Sequence, residues 1–107
     1  MRTWQSGVVA LCLWSLTAAC QADAAAGQTK AATACAVCHG PMGLAMQPNV
    51  PNLAGQSEIY LVEQLRNYRS GKRHHEVMSV IAKPLSNQEI NDLAQWYASL
   101  QIQVQAP

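Results

Sequence analysis

An all-α domain is the fold that this sequence predicts, and three observations predict it. Leu61, Leu65 and Tyr68 recur at i, i+4 and i+7, which places them on one face of a helix. Ser86-Asn87-Gln88-Glu89 reads as a capping box directly ahead of a second stripe, Ile90, Leu93, Tyr97 and Leu100. No stretch gives a convincing strand pattern of alternating apolar and polar residues. At 107 residues one small domain is expected. A net charge of +1 excludes the strongly basic footprint of a nucleic-acid binder.

In chain order, the first segment reads as a secretory signal. Met1 to Trp4 carries one positive charge, and the apolar run Gly7 to Ala19 is shorter than the roughly 20 residues of a membrane helix. Ala22-Asp23-Ala24 fits a small-x-small cleavage site, so 1–24 is expected to be removed and 25–107 to form the domain. Leu16-Thr17-Ala18-Ala19-Cys20 also resembles a lipoprotein signal, with its leucine one place too far upstream. That pattern offers a membrane tether through Cys20. An alanine-rich helix is expected over Gly27 to Ala36. Gly40, Pro41, Gly43, Pro48, Pro51 and Gly55 then make 40–55 irregular.

The second long helix starts after Ser57, a good N-cap, and stops at Gly71. Val77 to Ala82 is expected to add a short turn. In the last helix Ser86 is the N-cap and Glu89 stands at N3. Leu85 and Ile90 form the accompanying hydrophobic staple, and Trp96 flanks the stripe. The helix should end near Leu100, leaving 101–107 as a frayed tail.

The chemistry of the chain is concentrated in Cys35-Ala36-Val37-Cys38-His39. This is the C-x-x-C-H signature of covalent haem attachment. Two thiols three positions apart each form a thioether to a porphyrin vinyl group, and the histidine that follows becomes the proximal iron ligand. A zinc site would ordinarily need a second cysteine or histidine pair, and no cysteine follows Cys38. A thioredoxin-like pair would need a βαβ setting, which the sequence does not offer. Removal of Cys12 and Cys20 with the signal would leave only the two motif cysteines, which suits an oxidising compartment.

The segments Cys35 to His39, Pro51 to Gly55, Tyr60 to Arg73 and Met78 to Leu100 together resemble a short bacterial class I cytochrome c. Such proteins occur as single-haem periplasmic carriers and as halves of dihaem ones. The resemblance implies an all-α fold in which the N- and C-terminal helices cross around one covalently bound haem c. It implies that the carbonyl of Pro51 accepts the ring N–H of His39, which would fix the tautomer and raise ligand basicity. It also implies close packing of Gly27 on Trp96. The sequence departs from many relatives in having no Phe and in placing Ala31 where they carry a bulkier residue.

Given a haem, Met78 is the expected distal ligand. Met42 and Met46 lie three and seven residues after His39 and are held on the proximal side by the local chain. Met78 has a helix and a loop between it and His39. His74 and His75 are the alternative ligands. Met/His ligation raises the reduction potential.

The function expected is periplasmic single-electron transfer by a monomer or a complex subunit, and not enzymatic catalysis. Two alternatives stay open: a haem subunit of a larger dehydrogenase or oxidase, and a peroxidase-like or small-ligand-binding haem protein. Donor and acceptor are unnamed redox proteins. Arg66, Arg69, Lys72 and Arg73 are expected to steer an acidic partner, an effect that acts on association rate.

Overall fold

Asp23 opens the first helix three residues earlier than the alanine run alone suggested. Its side chain accepts the N–H groups of Ala25 and Ala26 at 2.9 and 3.2 Å, so two otherwise unpaired donors are satisfied. The computed structural model describes residues 21–107; the expected signal segment and Cys20 lie outside the described residues, apart from 21–24. Helix α1 spans Ala24–Ala34 and α2 Ala36–His39. They are separated because Cys35 leaves the helical region, with φ −125°. The single helix expected to reach Ala36 is therefore two, and the motif histidine closes a turn of its own.

The irregular stretch after α2 is ordered by backbone hydrogen bonds. The carbonyl of Gly43 accepts both Leu53 N–H (2.7 Å) and Ala54 N–H (3.0 Å). Met46 N–H donates to Cys38 O, and Ala45 N–H to Asn52 Oδ1 at 2.7 Å. Gly55 N–H donates to Tyr97 O, which pins the far end of the loop to the last helix. Gly43, at φ 70°, needs to be glycine for space as well, since a Cβ there would lie 2.9 Å from the Tyr97 ring.

Helix α3 (Glu58–Ser70) runs from the Ser57 cap to Gly71 in the left-handed conformation, as its sequence predicts. Helix α4 (Met78–Ala82) is a short turn, and α5 (Asn87–Ser99) begins on a complete Ser86/Glu89 capping box. The staple residues Leu85 and Ile90 are both buried. Among the described residues there is no strand. Leu61, Ala82, Leu85, Ile90, Leu93, Ala94 and Tyr97 build the core, with Ala31 contributed from α1. After Leu100 the chain is exposed and without regular structure, but Ile102 packs on Gly55.

Helices α1 and α5 cross at close range. Gly27 and Ala31, one turn apart, are the buried residues of α1. A Cβ at Gly27 would collide with the backbone carbonyl of Asp92 and stand 2.9 Å from Trp96 Cβ. The closest neighbour is thus the α5 backbone, with the Trp96 side chain beside it. Asp92 is 7 % exposed, and its Oδ1 accepts Asp23 N–H and Gln88 Nε2, each at 2.8 Å. A buried carboxylate needs such donors, because desolvation without them costs several kcal/mol. The exposed Lys30–Glu89 ion pair at 2.9 Å spans the same crossing and adds little to stability.

Two predictions follow from this crossing and from the α5 cap. Gly27→Ala should lower the unfolding free energy by about 1–3 kcal/mol, and the denaturation midpoint with it, because overpacking outweighs the roughly 1 kcal/mol gain in helix propensity. An unchanged midpoint would show that the helices can separate freely. The backbone N–H of Ser86, with Lys30 beside it, holds Glu89 below its ordinary value of 4.5. Because the folded value is lowered, its contribution is full above that ordinary value and fades as pH falls through the lower folded one. A stability–pH profile should therefore show Glu89→Gln losing most against wild type at neutral pH and least in acid.

Candidate haem site

The two cysteines of the motif flank one helical turn. Cys35 stands at the break between α1 and α2, and Cys38 and His39 belong to α2. Both thiols are half-buried and not joined in a disulfide. His39 is 7 % exposed, and its Nδ1–H donates to Pro51 O at 2.9 Å. With Nδ1 committed as the donor, Nε2 carries the lone pair, which is the state a metal-ligating imidazole needs. The loop that delivers Pro51 is the one fixed by Gly43 O and by the Asn52 side chain.

Tyr97 was legible as a core residue but not as a site residue. Its hydroxyl is buried with no hydrogen-bond partner of normal geometry, yet it lies close enough to Cys35 for the two groups to perturb each other. Burial pushes the Cys35 thiol up, opposed by Tyr97 and by the charge of Lys30. Burial, then Cys35, pushes the Tyr97 hydroxyl up, so it stays protonated. A sequence signal existed: Tyr97 is one of four stripe residues on α5 and the only one with a polar tip.

Met78 is the first residue of α4 and is half-buried. The N–H groups of Val77 and Met78 donate to His75 Nδ1 at 3.1 and 3.3 Å. His75 N–H in turn donates to Ser79 Oγ at 3.0 Å. His75 therefore works as a local cap that fixes the backbone at Met78. His74 is exposed.

These residues fit a haem. The protein supplies two unpaired thiols at the right spacing and an imidazole with a free nitrogen. Its core is small: Ile90 and Leu93 are its largest fully buried side chains among the described residues. Val37, Met42, Leu44 and Met46 beside the motif, and Val77 and Val80 beside Met78, are meanwhile exposed. A domain of this size gains much from a large apolar group that such side chains can cover.

The cytochrome c family model matches residues 24–101. The chain belongs to the cytochrome c family. A covalently attached haem c is accordingly its cofactor. Cytochrome c4 of Pseudomonas aeruginosa is 45% identical over 82 residues, covering 77% of this chain and 40% of that protein. Cytochrome c-554(548) of Halomonas halodenitrificans is 42% identical over 80 residues, covering 72% of this chain and 95% of that protein. A thiosulfate dehydrogenase electron acceptor of Thiomonas intermedia is 43% identical over 70 residues, covering 64% and 32%. Among solved structures, reduced cytochrome c4 from Pseudomonas stutzeri superposes with a TM-score of 0.69 at 37% identity, covering 75% of this chain and 46% of that one. The chain thus spans about 40% to 53% of the length of these cytochromes c4 and 95% of the c-554(548) cytochrome. Within this cytochrome, the class I fold expected from sequence is the fold observed.

The basic cluster divides in two. Arg69 is engaged inside the domain: Nη1 donates to Leu85 O at 2.9 Å and Nη2 to Asn87 Oδ1 at 2.7 Å, which ties the end of α3 to the start of α5. Arg73 lies 4.6 Å over the Tyr68 ring and donates to Gln64 Oε1. Arg66 and Lys72 are exposed. Arg69→Ala should cost about 1–3 kcal/mol of stability, since it leaves Leu85 O without this charged donor. It should leave the rate of electron transfer to an acidic partner unchanged at fixed folded fraction. Charge reversal at Arg66 and Lys72 should slow that rate at low salt and not at high salt. The opposite pattern in stopped-flow kinetics would return Arg69 to the steering role expected from sequence.

Proposed function

We propose that the protein is an exported carrier of single electrons whose haem iron is held by His39 and Met78. The family supports electron transfer through haem. The observation that carries the ligand assignment is the His39–Pro51 hydrogen bond, which presents Nε2 as a neutral donor from a buried ring. When bound, the haem supplies a metal that cycles between ferrous and ferric states. Pro51 holds the tautomer of His39. His75 and the α4 turn hold the backbone of Met78, whose thioether is a soft, neutral ligand that favours ferrous iron. His39 and Met78 would together hold the iron and leave it no open position for a substrate, so the reading is a carrier and not an enzyme. The signal-like pattern of the first 24 residues supports a periplasmic location for that carrier.

A second reading, lasting association with a larger oxidoreductase, is favoured by the Thiomonas intermedia relative, whose name makes it the electron acceptor of a dehydrogenase. The two readings share the same haem ligands.

Substitution of the distal ligand tests the proposal. Met78→Ala should keep the haem covalently attached, lower the reduction potential, and let the reduced protein bind carbon monoxide. An unaltered potential together with no carbon monoxide binding would assign the distal position to another side chain. His75→Ala, which leaves the thioether in place, should keep the site closed to carbon monoxide.

A further inference from the structure

We propose that the Tyr97 hydroxyl donates a hydrogen bond to the Cys35 sulfur once the haem is attached, and that this bond raises the reduction potential. Tyr97 is 3 % exposed, and its hydroxyl has no hydrogen-bond partner of normal geometry among the described residues. Buried hydroxyls in folded proteins are paired, because a donor taken out of water without an acceptor costs free energy. The ring is not free to swing away and find a partner elsewhere. A Cβ on Gly43 would stand 2.9 Å from Tyr97 Cδ1 and 3.1 Å from Cε1, so the loop that carries Pro51 lies against the ring. The Tyr97 carbonyl accepts Gly55 N–H at 2.9 Å, which ties the backbone of the same residue to the end of that loop. Cys35 packs against the core cluster to which Tyr97 belongs. Hydroxyl and thiol lie close enough for each to perturb the other.

As a free thiol, Cys35 can donate or accept, so the direction of the bond is open. Attachment closes it. The thiol adds across a vinyl group: a carbon–sulfur bond forms, the sulfur–hydrogen bond breaks, and that hydrogen ends on the other vinyl carbon. The thioether keeps its lone pairs and has no hydrogen, so only Tyr97 can donate. Tyr97 holds its proton for this, since burial, and then Cys35, push its hydroxyl above the ordinary tyrosine value. The vinyl groups and the propionates stand on opposite edges of a haem, so a hydroxyl beside Cys35 meets the sulfur and not a propionate. The positive end of the O–H dipole then faces the macrocycle in a buried place, where a fixed dipole acts more strongly than in water. It favours ferrous haem, which carries one electron more than ferric. Hydrogen bonding of this outer kind is one of the means by which a protein sets a haem potential. The proposal rests on the covalent haem and not on the identity of the distal ligand.

Tyr97→Phe, which keeps the ring and removes only the hydroxyl, tests it in the holoprotein expressed from the full chain. At the wild-type midpoint potential the ratio of oxidised to reduced variant should rise from one to about three, a fall of about 28 mV at 59 mV per tenfold. Resonance Raman gives a second reading, which a merely structural role for the ring would not move. The carbon–sulfur stretching band of the haem should shift on exchange into heavy water in wild type and not in Tyr97→Phe. An unchanged or raised potential in the variant overturns the proposal. So does a wild-type band that heavy water leaves in place, whatever the potential does. Failure of the haem reading itself looks different: haem extracted from wild type by acidified acetone would show that Cys35 carries no thioether at all.

Discussion

The fold depends on one close approach of two backbones. At Gly27 the α1 helix lies against the main chain of Asp92, at a range that no side chain at that position would allow. The helix seated by this contact runs to Ala34, where Cys35 leaves it and α2 presents Cys38 and His39. The same α5 segment carries Tyr97, which lines the Cys35 side, and receives the proximal loop through Tyr97 O and Gly55 N–H. The attachment motif is therefore positioned by a helix crossing remote from it in sequence. That crossing is held by shape more than by charge, since its one ion pair, Lys30–Glu89, is exposed.

The surroundings of His39 and of Met78 are built by different physics. Beside His39 a loop rich in Gly and Pro is made rigid by its own main-chain hydrogen bonds, and Pro51 O is its product. At Met78 a five-residue helix has too few internal bonds to hold itself. It is held by packing of Ala82 and Leu85 into the core and by the His75 cap at its start. Arg69 reinforces this arm by tying α3 to Leu85 O and Asn87. His75, through Nδ1, thus supports the backbone at Met78.

Much of this was legible in the sequence, for local reasons. Capping box, staple, Ser57 and Gly71 act within a few residues of themselves, and each marks the boundary it was read to mark. The spacing of Cys35, Cys38 and His39 is equally local. What was not legible depends on distant partners. The first helix starts at Ala24 behind its local Asp23 cap, but the Asp23 N–H is also bonded to Asp92, 69 residues away, and no local signal marks the break at Cys35. Arg69 read as a solvent-facing cation because its acceptors, Leu85 O and Asn87, lie 16 and 18 residues away. The burial of Asp92 is likewise set at a distance, by the crossing and by Asp23, 69 residues away.

The central claim is that this scaffold holds iron between His39 and Met78. Proton NMR of the reduced, diamagnetic holoprotein tests it most directly, because a methyl group held over the porphyrin face is moved far upfield by the ring current. The account predicts one three-proton resonance in that region, lost in Met78→Leu and retained in Met46→Leu. The absence of such a resonance from wild type, or its survival in Met78→Leu, would contradict it.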